Sequence, residues 1–175
     1  MAAREAAGRE ASPTAGVIDS QSVKTTESGG IRGFDAGKLV KGRKRHIITD
    51  TSGLLVGVMV HAADIQDRDG APALLASIRY AFPWLRHVFA DGGYAGPKLR
   101  QVLSKLGAWT LEIVKRSDTA KGFVVIPRRW VVERTFAWFG RNRRLAKDFE
   151  KTIESAEAWL LIASIQLLAR RIARA

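Results

Sequence analysis

The order of elements along this chain predicts an α/β fold, a five-stranded mixed sheet with helices on both faces. Three observations carry that expectation. Short apolar or β-rich runs fall at 16–19, 46–50, 54–62, 88–90 and 110–115. The later ones alternate with segments of helical apolar spacing, the pattern of parallel strands joined by crossover helices. At 175 residues, with 46% hydrophobic and 26% charged residues, the chain is one ordinary globular domain with a sizeable core.

The elements follow in order. Met1 to Thr14 is Ala/Arg/Glu-rich and has no sustained apolar face, so residues 1–15 are expected to be a flexible tail and 16–175 the domain. Gly16 to Asp19 reads as a short buried strand, and the Gly- and Lys-rich stretch Glu27 to Arg45 as a loop. Thr51-Ser-Gly53 separates two β-rich runs, a hairpin signal. Arg68 to Ala81 places Ala71, Leu74, Leu75 and Ile78 at helical spacing. Val88 to Ala90 is a short strand ending in a Gly92-Gly93 turn. Pro97 to Leu106 is a helix opened by proline and closed by Gly107. Thr110 to Lys115 is a strand, and Ser117 to Gly122 a mobile loop. Arg128 to about Lys147 is helical with a possible break at Gly140. Ile153 to Arg174 is a long amphipathic helix whose terminal arginines suit its dipole.

Composition narrows the function. The net charge of +12 calls for a polyanionic partner, most simply nucleic acid. The longest apolar stretch, Ala156 to Ala169, is too short to span a bilayer and is interrupted by Glu157 and Gln166. With no apolar signal core, the expected location is cytoplasmic, beside the nucleoid, with no membrane partner. Cysteine is absent, which excludes disulfides and thiolate metal sites. His46, His61 and His87 are scattered and are assigned to packing or hydrogen bonding.

Three acidic residues stand in distinctive settings: Asp19 in Val17-Ile-Asp-Ser-Gln-Ser-Val23, Asp91 in Phe89-Ala-Asp-Gly-Gly-Tyr94, and Glu133 in Arg129-Trp-Val-Val-Glu-Arg-Thr-Phe136. Two strand-end aspartates and a helical glutamate supply oxygen donors suited to two hard ions, Mg2+ or Mn2+, which serve in-line displacement at a phosphodiester. The element order is that of the ribonuclease H-like fold. There the first and fourth strands are parallel neighbours, which would bring Asp19 and Asp91 together. Other carboxylates have plainer readings. Asp64, Asp67 and Asp69 lack EF-hand spacing and are expected to cap the following helix, while Asp35 and Asp50 are loop residues. Gly92-Gly93 is expected to turn the backbone sharply. Tyr94 is a packing or positioning residue, with a covalent nucleophile a remote option.

Beyond these residues, Asp19-Ser-Gln-Ser-Val-Lys24, Gly33-Phe-Asp-Ala-Gly-Lys38, Lys41-Gly-Arg-Lys-Arg-His46, Ala90-Asp-Gly-Gly-Tyr94, Arg128-Arg-Trp-Val-Val-Glu-Arg-Thr-Phe-Ala-Trp138 and Arg143-Arg-Leu-Ala-Lys-Asp-Phe-Glu150 resemble bacterial insertion-sequence transposases of the DDE type, the insertion-sequence-five group. The resemblance runs through nearly everything from Val17 onward. It implies that Asp19, Asp91 and Glu133 are the catalytic, metal-holding triad and that Arg129, four positions before the glutamate, assists. Where the related signature has Tyr and Lys, this chain has Ile126 and Gly140, which leaves Arg141, Arg143 or Arg144 to grip the DNA end.

Two basic clusters are the expected phosphate contacts: Lys38, Lys41, Arg43, Lys44 and Arg45, then Arg134, Arg141, Arg143, Arg144 and Lys147, the second interleaved with Trp130, Phe136, Trp138 and Phe139. The expected activity is cleavage of double-stranded DNA at element ends followed by strand transfer into target DNA, by a homodimer in a synaptic complex. Related enzymes carry an N-terminal recognition region, in some members a separately encoded half, so the chain reads as a catalytic portion. A non-catalytic regulatory fragment and a ribonuclease H-like nuclease without transposition are the competing readings.

Overall fold

Ten consecutive residues, Ala15–Lys24, form β1, the strand around which the rest is arranged. The computed structural model describes residues 2–114 and 126–174; the loop expected at Ser117 to Gly122 lies outside them. Along one side β1 pairs antiparallel with β3 (Val40–Asp50), from Gly16 opposite Asp50 to Lys24 opposite Gly42. Beyond β3 lie β4 (Leu55–Ala62) and, at its opposite end, the short β2 (Gly33–Asp35). On the other side β1 pairs in parallel with β5 (His87–Ala90), and β5 with β6 (Thr110–Ile113). The hairpin turn at 51–53 forms as expected, with Gly53 at a φ of 85° that few other residues adopt.

Alternation along β1 sends neighbouring side chains to opposite faces. Ile18 and Ile48 point to the face covered by α2 (Asp67–Ile78) and α3 (Pro97–Leu106), where they pack with Leu74, Leu75, Leu99 and Leu103. Val17, Ile47 and Phe89 point to the other face, against Val132, Phe136 and Phe139 of α4 (Pro127–Gly140) and Leu160 of α5 (Ile153–Ile172). Burying each such side chain contributes about 1.5–3 kcal/mol. α4 ends at Gly140, and a single 3-10 turn, Arg143–Leu145, precedes α5. Within the expected tail, α1 (Ala2–Glu5) buries Ala3, and Arg4 pairs with Asp50. No helix among the described residues is long and apolar enough to cross a membrane.

Three expectations need correction. Among the described residues the sheet has six strands, because β2 joins the edge of β3. The stretch 27–45 is not all loop, since β3 begins at Val40. Asp19 lies at the middle of β1 and not at its end. The missed segments are polar, so periodicity cannot reveal them; their burial is produced by distant partners. Arg43 is fully buried and donates to the carbonyls of Ile31, Glu150, Lys151 and Thr152 and to the Asp148 carboxylate. It fastens the start of β3 to the segment leading into α5.

Candidate active site

The parallel register of β1 and β5 fixes the first two acids. Val17 lies opposite Phe89, and carrying that register two residues onward brings Asp19 level with Asp91. By alternation both aspartates share the face of Val17 and Phe89, the face on which α4 packs. Glu133 stands on the same helix as Val132 and Phe136, on its exposed side, and is linked to Asp91 through Arg129.

Their surroundings differ. The Asp19 carboxylate is half-buried and accepts the Ser20 backbone N–H at 2.7 Å. Burial pushes its pKa up to about 7, and the negative charge of Asp91 pushes the same way; the Ser20 N–H, Lys38 and Arg129 act against them. Asp91 stands one residue past β5 and caps the 3-10 turn Gly92–Tyr94, accepting the Gly93 N–H at 2.7 Å. Glu133 is exposed. Arg129 joins the two sides, its Nη2 lying 3.8 Å from Asp91 Oδ2 and 3.4 Å from Glu133 Oε1.

Whether a divalent ion suits this place is a question of donor chemistry. The donors are carboxylate oxygens, as hard cations require. Asp19 is desolvated and repelled by its neighbour, so a dication between them would relieve both penalties. The two aspartates fit such an ion. Among the described residues no three acidic or histidine side chains converge closely enough to hold one together, and Glu133 meets Arg129 instead.

The expected phosphate contacts divide into two groups. Lys41, Arg141, Arg143 and Lys147 are exposed. Lys38 is exposed too, with its Nζ 3.3 Å from the Ser20 carbonyl. Arg43, Lys44 and Arg45 are corrected to structural roles: all three are buried. Lys44 pairs with Asp67 at 2.9 Å, and Arg45 donates to the carbonyls of Leu145 and Lys147. A cation enclosed in this way cannot reach a phosphate. Arg134 turns inward to the Ser52 carbonyl, and Arg144 pairs with Glu150 beside Trp159.

A buried polar network behind the site was not foreseen. Ser20 Oγ donates to Asp67 at 2.7 Å, Asp67 receives Lys44, and Ser22 donates to Asp35. Asp67 is therefore no helix cap; Gln66 holds the cap position of α2, and Asp69 pairs with Lys98. Asp35 belongs to β2, and Asp50, at the end of β3, is buried and accepts the backbone N–H groups of Ser52 and Leu54. Tyr94 is fully buried, its hydroxyl 2.7 Å from His46 Nε2, and His46 lies 3.4 Å from His61. Burial, with Asp19, Asp67 and Asp91 nearby, holds the phenol well above its usual pKa, and burial lowers that of His46 to about 3. A protonated, enclosed phenol is no nucleophile. Gly92 and Gly93 need no left-handed backbone; Gly93 provides room, since a Cβ there would lie 3.0 Å from Asp91 Oδ1. The available signal was positional: these residues sit inside the same motifs as the aspartates.

The family model described as the Transposase DDE domain matches residues 10–168. The chain belongs to this family. A Burkholderia cepacia protein assigned as transposase of insertion sequence element IS402 is 30% identical over 126 residues, 68% of this chain. The match takes in 59% of that relative, so the chain spans a little over half its length. A chain of the simian T-cell lymphotropic virus intasome in complex with PP2A regulatory subunit B56 gamma superposes with a TM-score of 0.57 at 14% identity, over 89% of this DDE transposase domain and 49% of that chain. That likeness concerns the fold, which is α/β and ribonuclease H-like.

Proposed function

We propose that this DDE domain is the catalytic portion of an insertion-sequence transposase of the insertion-sequence-five group, cutting DNA at element ends and joining them to target DNA. The observation that carries the reading is the register of β1 and β5. Its last pair is Val17 with Phe89, and carried two residues onward it supports Asp19 beside Asp91, while Arg129 reaches both Asp91 and Glu133. Asp19, Asp91 and Glu133 would hold two divalent ions, Mg2+ or Mn2+. When bound, these supply charge stabilisation at the attacking and leaving oxygens of an in-line displacement.

The chain's own groups do the rest. Arg129 leaves Glu133 and neutralises charge on the phosphodiester, a substitution of one anionic partner for another. Lys38, Lys41, Arg141, Arg143 and Lys147 hold the duplex backbone through phosphate contacts that carry no sequence information. The sequence of the element end is then read elsewhere, by an N-terminal region or a separately encoded half, and the ends are paired by a homodimer. The setting is the cytoplasm, beside the nucleoid.

The test is Mn2+-dependent nicking of a duplex carrying the host element's end, comparing wild type with Asp91→Asn. Nicking at the element boundary that disappears in the variant is the expected outcome. Comparable nicking by both proteins would overturn the assignment. Binding without nicking by wild type would replace the enzyme with a regulatory DNA-binding fragment. Cutting without transfer of a labelled end would reduce it to a nuclease.

A further inference from the structure

At the C-terminal ends of α4 and α5 lies a pocket of about 330 Å3, lined among others by Trp138, Arg141, Asn142, Arg170, Arg171 and Arg174. It shares no lining residue with the carboxylate site, and none of its lining residues is acidic. We infer that this pocket is a second phosphodiester seat, which grips the backbone of duplex DNA away from the reacting strand. The inference rests on the DNA-processing reading above, which already uses Arg141, and adds Arg170, Arg171, Arg174 and Trp138 to it as one seat.

Charge and geometry carry it. Arg134 and Arg171 each donate to the same oxygen, the Ser52 carbonyl, at 3.1 Å. Both guanidiniums also lie over the Trp138 ring, 4.7 and 5.0 Å from its centre. Two like charges are thereby held beside one indole. The nearby carboxylate, Asp50, is already taken by Arg4 and by the backbone N–H groups of Ser52 and Leu54. Burial and the neighbouring Arg134 charge lower the pKa of Arg171. Around this fixed pair stand Arg141, Arg170 and Arg174, all exposed and none in an ion pair among the described residues. A concave surface with several guanidiniums and no acid binds an anion, and Arg presents planar paired donors to phosphate.

The spacing favours a polymer over a lone ion. Arg141, Arg170 and Arg174 come from three places on the rim, past the end of α4, in the last turn of α5 and two residues beyond its end, so they can address more than one phosphate of a strand. Trp138 adds an apolar wall for the sugar edge and a built-in reporter.

The experiment measures binding of wild type and R170A/R174A to a short random-sequence duplex in chelator, at several salt concentrations. Both substitutions remove exposed side chains, one in the last turn of α5 and one just past its end, and an unchanged melting temperature checks the fold. Each lost phosphate contact should lower the slope of log affinity against log salt by about 0.9, so the double variant should lose roughly 1–2 units. Duplex should quench the Trp138 emission, taken as the difference between wild type and Trp138→Phe, and the double variant should not show this. Unchanged slope and affinity in the double variant, with wild type binding normally, would overturn the seat and leave the transposase reading standing. Failure of wild type to bind duplex at all would remove both. Quenching by inorganic pyrophosphate that duplex does not displace would assign the pocket to a free anion and overturn the DNA seat.

Discussion

Asp19 is the residue whose state the fold most alters. Its carboxyl is raised to about 7 from 3.8, chiefly by burial and then by Asp91, with Lys38 and Arg129 opposing. The native protein therefore binds more protons than the unfolded chain between those values. Stability falls as pH rises through that window and levels off above it. Asp19→Asn should remove the dependence, matching wild type near pH 4 and exceeding it near pH 8 by on the order of 1–3 kcal/mol. Urea melts at the two pH values check this; a variant less stable near pH 8 would contradict the account. Tyr94 offers a second check at this scale. Its enclosed hydroxyl holds His46, so Tyr94→Phe should cost about 1–2 kcal/mol in a melt by leaving a buried imidazole nitrogen unpaired. It should nick within about tenfold of wild type, whereas a nucleophile's loss would abolish the reaction.

Among the elements, β3 depends most on a single side chain. Arg43 joins it to the carbonyls of four residues and to Asp148. Arg43→Ala should destabilise by about 3–5 kcal/mol, because Asp148 would be left buried without its partner; a chemical denaturation curve measures it, and a loss under about 1 kcal/mol would refute it. The same strand explains what the sequence could and could not reveal. α3 was legible to the residue because Pro97 and Gly107 bracket regular apolar spacing, and α5 because its apolar face persists for five turns. That β1, which carries Asp19, and β5, which leads into Asp91, are parallel neighbours was legible from element order alone. The burial of Arg43 and Arg45 was not, since a run of cations reads as solvated unless one knows that carbonyls a hundred residues later enclose them. The Ser20–Asp67–Lys44 network was hidden for the same reason, being non-local and made entirely of polar groups.

For the whole molecule, a net charge of +12 overstates the surface available to a polyanion. Part of it is internal, in Arg43, Lys44 and Arg45, and part surrounds Trp138 at the far ends of α4 and α5. Of the exposed expected phosphate contacts, the others lie at the edge near Lys38 and Lys41 and in the segment carrying Arg143 and Lys147. A duplex meeting all of these would have to run across the molecule and not merely enter one groove. The carboxylates along its course are held with unequal firmness. Asp19 rides on a strand hydrogen-bonded to β3 along nearly its full length, while Asp91 begins a short turn and Glu133 stands on an exposed helical flank. On the proposed function Asp19 is the fixed jaw of a vice, its position set by β1, while Asp91 and Glu133 stand on less enclosed supports across from it.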